Sequence, residues 1–252
     1  MESIFKKIAE VLNSGEVTAL CTVVSTKGST PLKTGAKMIV WENGSIFGTI
    51  GGGALEYSTV KDAIRVIKNK RPQLFLHNLK AQHKMCCGGS MEIYIEPLMP
   101  SKKLFMFGGG HVGKAVVKHA LDLDFEITVI DSREEIFSDW IFTGFNKVAG
   151  DFPKVMPSLP YDNNTFIVIA TLDHPTDNEV LAFCIHKPHC YLGMIGSKKK
   201  VATMKENLIS QGIATEEELS RVDMPIGLDI NAVTADEIAI SIMAKLIREK
   251  NK

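Results

Sequence analysis

The stretch "FMFGGGHVGKAVVKHA", residues 105–120, decides the fold. An apolar run breaks into three glycines and a histidine, then resumes with Val112, Ala115, Val116 and Ala120 at helical spacing. Such a pattern reads as strand, tight turn and helix. Gly108, Gly110 and Gly113 fit G-x-G-x-x-G, and the string alone is common. Its context is more specific, because a second apolar run, "FEITVID", ends at Asp131, eighteen residues after Gly113. Glycines let a backbone approach a diphosphate, helix-terminal N–H groups bind it, and an acid at the end of the second strand can accept ribose hydroxyls. A nucleotide-like ligand is therefore expected at this turn. His111, inside the turn, is either a ligand contact or a solvated histidine.

Outward from the turn, strands and helices alternate. "TFIVIAT", "NEVLAFCIH", "CYLGMIG" and a helical run from about Lys199 to Ser210 follow, the order of right-handed βαβ units in a parallel sheet. Carboxyl ends of parallel strands lie together, so Thr171 and Gly196 should border the same crevice as Gly108 and Asp131. The loop after Thr171 supplies Asp173, His174 and Asp177, and Thr176 with Glu179 has the spacing of a capping box. His174 is a candidate ligand contact, acid or base, or simply a loop residue. Beyond Gly196, Ser197 and Lys198 begin a helix that carries three lysines in its first turn. These cations oppose the helix dipole, and a bound anion would relieve the conflict.

The first hundred residues have another texture. Ile4, Phe5, Ile8, Val11 and Leu12 recur at helical spacing before Gly15, "VTALCTVVST" is a nearly continuous β-branched run, and "KMIVWENGSIFGTI" turns at Asn43-Gly44. In "MEIYIEPL" the apolar Met91, Ile93 and Ile95 alternate with Glu92, Tyr94 and Glu96, as in a sheet with one wetter face. The Pro-containing step "PLMPSKK" places a boundary near Pro100. The expected architecture is α/β: a smaller N-terminal α+β domain, residues 1–100, and a C-terminal Rossmann-type parallel sheet, residues 101–252. Glycines cluster in "GSTPLKTGAKMIV", "GTIGGGALE" and "MCCGGSMEIYIEP", which makes Gly51, Gly52 and Gly53 candidates for close backbone approach to a ligand.

Over 252 residues, 29 Lys and Arg balance 29 Asp and Glu, which argues against an extended nucleic-acid or anionic-membrane surface. The opening "MESIFKKIAEVLNSG" has no signal-peptide core, and no apolar run approaches the roughly 20 residues of a membrane span, so a cytoplasmic protein is expected. Five cysteines without a secretory signal imply reduced thiols. His83 with Cys86 and Cys87 lacks a second ligand pair, and Cys184, His186, His189 and Cys190 straddle a predicted helix end and strand, so a structural zinc site is not expected.

The three glycine-rich segments, with "FGGGHVG", "DHPTDNEVL", "GMIGSKKK" and "IGLDINAVTADEIAISI", resemble in order and over essentially the whole chain the XdhC/CoxI family of xanthine dehydrogenase accessory factors. The resemblance implies a carrier of the molybdenum cofactor, molybdopterin or its dinucleotide form, that is not a turnover enzyme. It further implies support for sulfuration by a cysteine desulfurase and delivery to a xanthine-dehydrogenase-type molybdenum hydroxylase. A homodimer is an open expectation. Cys87 matches the family's cysteine-glycine-glycine element and is the candidate molybdenum ligand, since thiolate is a soft donor; Cys86 is an addition to that element. Two other classes remain open. One is an NAD(P)-dependent oxidoreductase, with Asp131 on the adenosine ribose and His174 or His111 as acid or base. The other is a nucleotide-sensing regulatory module.

Overall fold

Apolar spacing near the start of the chain produces α1 (Ile4–Ser14), which Gly15 ends with a left-handed φ of 78°. The computed structural model describes residues 3–80 and 88–252, and the chain divides into two compact units, Met1–Pro100 and Ser101–Lys252. No helix among the described residues is long and apolar enough to cross a membrane.

After α1 the first unit continues with β1 (Thr18–Lys27), β2 (Lys37–Trp41), β3 (Ile46–Gly48), α2 (Gly53–Asn69), β4 (Gln73–Asn78) and β5 (Ser90–Leu98). The sheet runs β3-β2-β1-β5-β4 with every pairing antiparallel. Asn43-Gly44 joins β2 to β3: Gly44 adopts a φ of 84°, and Asn43 Oδ1 accepts the Ser45 N–H at 2.9 Å. Alternation in β5 sends Met91, Ile93 and Ile95 to one face, where they pack with Ala19, Cys21 and Val23 of β1 against Leu55, Ala63, Val66 and Ile67 of α2.

The second unit comprises β6 (Lys102–Phe107), α3 (His111–Ala120), β7 (Phe125–Asp131), β8 (Asn146–Ala149), α4 (Phe152–Val155), β9 (Thr165–Ile169), α5 (His174–Cys184), β10 (Tyr191–Met194), α6 (Lys198–Ser210), α7 (Glu216–Ser220) and α8 (Ala235–Lys250). All its strands are parallel, in the order β8-β7-β6-β9-β10. Numbered from the first strand of the unit this is 3-2-1-4-5, the order of a doubly wound dinucleotide-type sheet. Both faces are covered. Leu104, Met106, Ile127, Val129, Phe166 and Val168 pack against α3 and α8, while Phe105, Phe107, Ile130, Ile167 and Ile169 pack against α5 and α6. Each fully buried phenylalanine stabilises this core by about 2–3 kcal/mol.

The crossovers explain where a ligand would lie. The connection from β6 leaves by α3 on one face, and the connection from β9 leaves by α5 on the other, so the loops after β6 and β9 part at the carboxyl edge of the sheet. Open sheets of this kind bind their ligands at that switch point.

Two details bear on the sequence expectation. The cap of α5 is Asp173, not Thr176: the Asp173 carboxylate accepts the Thr176 N–H at 2.9 Å, and Pro175 sits in the first turn, where its missing N–H costs nothing. The last helix does start as its spacing implies, with a reciprocal capping box between Thr234 and Glu237.

Candidate functional site

The glycine turn leaves β6 at Gly108 with a φ of 105°. Only glycine fits there, because a Cβ would lie 2.0 Å from the Ala170 carbonyl oxygen and 2.9 Å from Thr171 Cα. Thus the loops after β6 and β9 touch. At Gly113 a Cβ would lie 1.9 Å from the Gly108 oxygen, so this glycine lets α3 pack closely on the strand it follows. Gly110 differs: its φ is −67° and nothing lies within 4 Å of the space a Cβ would take. The protein's own packing does not demand a glycine there. His111, the next residue, opens α3 and is exposed.

Asp131 ends β7 and is 2% exposed. Its carboxylate is fully engaged by the protein. Oδ2 accepts the Gly109 N–H at 2.7 Å and Arg133 Nη2 at 2.9 Å; Oδ1 accepts the Arg133 N–H at 3.0 Å and Arg133 Nε at 2.9 Å. Burial would raise its pKa, but the hydrogen bonds from Arg133 and Gly109 and the adjacent guanidinium charge outweigh it and hold the group below the usual carboxylate range. In this conformation the acid braces the glycine turn and has no oxygen open to a ribose diol.

Beside it, Thr171 donates both its N–H (2.8 Å) and its hydroxyl (2.6 Å) to Asp177 Oδ1. Asp177, on the first turn of α5, is 3% exposed, and burial raises its pKa against the opposing Thr171 hydrogen bonds. His174 Nδ1 lies 3.8 Å from Asp177 Oδ2, with its own ring half exposed.

Gly196 follows β10, and Ser197 caps α6 by accepting the Lys200 N–H at 3.3 Å. Lys198 lies 3.7 Å from Asp229, both largely exposed. The loop Ile195-Gly196 separates two cavities. One of about 450 Å³ is formed by α5, β10 and α6 and includes His174, Asn178 and Gly196. The other, of about 440 Å³, lies against the segment 225–232 and Ile238 and Ser241 of α8. A larger cavity, about 780 Å³, sits at the opposite edge of the sheet among Asn163, His189, Tyr191 and Asp223, away from the glycine turn.

Gly108, Gly110, His111, Gly113, Asp131, Thr171, His174, Gly196, Ser197 and Lys198 therefore all belong to the carboxyl edge of the parallel sheet or the helix starts that follow it. Gly51 and Gly52, between β3 and α2, and Gly53, the first residue of α2, belong to the first unit, all at positive φ. There Glu56 Oε1 accepts the N–H of Ile50 at 3.0 Å, that of Gly52 at 2.9 Å and the Thr49 hydroxyl. Gly51 donates to Thr49 Oγ1 at 3.2 Å. Cys86 and Cys87 lie outside the described residues. Burial pushes the thiols of Cys21 and Cys184 up to about 12, and no group of three or more His, Cys, Asp or Glu among the described residues is placed to hold a metal ion.

The sequence reading missed Glu56 and Asn178 as parts of these sites; it placed Arg133 beside Asp131 as a contact to adenine or a 2′-phosphate, whereas here its guanidinium is bonded to Asp131. Glu56 had a usable signal, an acid in the first turn of a helix after a glycine loop. Asn178 had none.

Strand order, glycine turn and covered faces define the second unit as a Rossmann-type domain. Residues 104–246 match the XdhC Rossmann domain and residues 11–78 the XdhC and CoxI family; the chain belongs to the XdhC family. It is 32% identical, across 99% of its length, to the uncharacterized protein YqeB of Escherichia coli K12, and 24% identical, across 64%, to a probable xanthine dehydrogenase subunit of Bacillus subtilis 168. The chain spans 46% of the length of each of these two relatives. It is also 22% identical to the molybdenum cofactor insertion chaperone PaoD of E. coli K12, across 97% of this chain and 87% of that protein.

Proposed function

We propose that this protein carries the molybdenum cofactor and inserts it into a xanthine-dehydrogenase-type molybdenum hydroxylase. The observation that carries the reading is the similarity to a cofactor insertion chaperone over nearly the full length of both chains, joined to membership of the XdhC family. The residues of the second unit fit a pterin cofactor with a phosphate or dinucleotide end. Gly110 leaves open space at the start of α3, whose N–H groups favour an anion, and the Asn178 cavity beside β10 offers apolar walls. The cofactor, as cargo, brings the molybdenum centre; the chain's contribution is to hold and orient it. Cys87 is proposed as a thiolate ligand of that metal, and sulfuration by a cysteine desulfurase would act on the cofactor while it is held. Within the first unit, Gly51, Gly52 and Gly53 are proposed to approach a ligand through their Cα atoms, since Gly51 and Gly52 already spend their N–H groups on Thr49 and Glu56.

The competing NAD(P)-dependent oxidoreductase draws on the Gly108–Gly113 fingerprint, yet the acid it needs for the ribose is committed to Gly109 and Arg133. Purification from a host that makes molybdenum cofactor, followed by mass spectrometry of the released ligand and metal analysis, separates the two. Pterin with molybdenum is expected; NAD(P) alone would overturn the proposal.

A further inference from the structure

The 450 Å³ cavity between α5 and α6 differs in chemistry from the glycine turn. Its floor is apolar and well packed: Met194, Val201 and Met204 are all less than a tenth exposed. Its rim carries Lys199 and Lys200 at the start of α6, a helix with no acid in its first turn to balance them. Its lining includes Asn178, whose Oδ1 is buried, turned away from the open cavity, and makes no hydrogen bond among the described residues, so rotation of the amide about Cβ–Cγ would present it to a ligand. A buried polar atom left without a partner costs roughly 1–3 kcal/mol, so native structures rarely keep one without a use. Carboxamides present a donor and an acceptor side by side, and they match a lactam edge, a C=O next to an N–H, in either orientation of the amide.

We infer that this cavity is the subsite for the pterin ring: a flat bicyclic heterocycle over Met194 and Met204, its lactam edge on Asn178 and its anionic tail toward Lys199 and Lys200. Thioether sulfur and apolar walls suit the face of a ring, and the lysines suit a negative substituent. Position in the sheet supports the assignment. β10 is two strands from β6, roughly 10 Å, so one extended ligand can reach from this cavity to the glycine turn.

The inference rests on the carrier reading above but is tested apart from it. The probe is 6-carboxypterin, whose own fluorescence reports binding to the whole protein without molybdenum or client enzyme. Wild type should quench it saturably. Asn178→Leu, similar in volume and relieved of the unpaired oxygen, should melt no lower than wild type and bind about tenfold more weakly, the loss of one good hydrogen bond. The Lys199→Ala/Lys200→Ala double variant should weaken binding in a way that shrinks as salt rises. His189→Ala, in the cavity at the opposite edge of the sheet, should change nothing. No binding by wild type up to about millimolar probe, equal binding by Asn178→Leu, or displacement by AMP as effective as by unconjugated pterin would each overturn the subsite. Ring binding that depends on Asn178 in a protein that retains no molybdenum cofactor would fail the carrier reading and keep the subsite. Full cofactor retention by Asn178→Leu would do the reverse.

Discussion

Each unit of this protein contains a glycine-rich loop filled by a carboxylate of its own, and the two carboxylates are built in by different means. In the first unit Glu56 sits in the first turn of α2, four residues after Gly52, and folds back on the loop that leads into its own helix. In the second unit Asp131 arrives from a neighbouring strand, 22 residues after the Gly109 N–H it binds, and Arg133 locks it in place. The first is a local cap on a helix whose N-cap, Gly52, has no side chain to offer. The second is a tertiary strut, buried and charge-paired. Local caps are cheap to lose, and buried struts are not.

The glycines divide along the same line and give the largest expected effect. Gly113→Ala would drive a Cβ into the Gly108 carbonyl at 1.9 Å, a backbone contact that no rotamer can relieve. It should destabilise the second unit by about 3 kcal/mol or more. By contrast, Gly52 has a φ of 80° and a ψ of 177° with nothing within 4 Å of a Cβ, so alanine there meets only backbone strain, roughly 1–3 kcal/mol. Urea unfolding followed by a probe in each unit checks both figures. Equal losses would break the distinction between close approach and conformation.

Asp131→Asn comes next. It leaves the guanidinium of Arg133 without its counter-charge and turns two of the four accepted hydrogen bonds into donors facing a donor, at a cost of about 2–3 kcal/mol. Loss of less than about 1 kcal/mol in urea unfolding would show that the acid is free enough to serve a ligand.

Glu56→Gln should cost about 1 kcal/mol, since the amide oxygen can still accept from Ile50 and Gly52. Both acids also carry a pH signature. Burial raises the pKa of Glu56, but hydrogen bonds from Thr49, Ile50 and Gly52 outweigh it and leave the net shift downward, as at Asp131. A carboxylate lowered in the folded state adds stability that is complete above its unfolded value, about 4, and is lost as pH falls through the folded one. Melting between about pH 7 and pH 3 should fall less steeply in Asp131→Asn than in wild type. Glu56→Gln should flatten the curve by a smaller amount.

Much of this comparison was legible before the structure, and the reasons are physical. The glycine turn could be read because a sharp exit from a strand and a close helix both exclude a side chain, which leaves a fixed spacing in the sequence. Strands β6, β7 and β9 could be read because, buried on both faces, they are nearly continuous apolar runs. β8 could not: "NKVA" is short, and only Val148 of its residues is not exposed. Helix α7 did leave a mark, Thr215 with Glu218 at capping-box spacing, but five residues are too few to show a period. Side-chain closures such as Arg133 on Asp131 depend on where the chain turns after the strand, which no periodicity encodes. Nor does any local pattern bring Asn178 beside Met194, because α5 and β10 meet only through the packing of the sheet.

The smallest expected effect on stability is the most informative about the ligand. Gly110 is the N-cap of α3, with an ordinary φ of −67°, no side-chain cap and open space where a Cβ would stand. Serine is a better N-cap than glycine, because its hydroxyl can accept one of the orphan N–H groups of the first turn. Gly110→Ser should therefore melt within about 0.5 kcal/mol of wild type, or slightly higher. Yet the same hydroxymethyl group occupies the approach to those N–H groups, where the phosphate end of the proposed cofactor would sit. Cofactor retained per protomer should drop about tenfold while the fold is untouched, the opposite of Gly113→Ala, which loses both together. Retention equal to wild type would mean that Gly110 is a turn residue like its neighbours, and would move the anionic end of the ligand off α3 toward the lysines of α6.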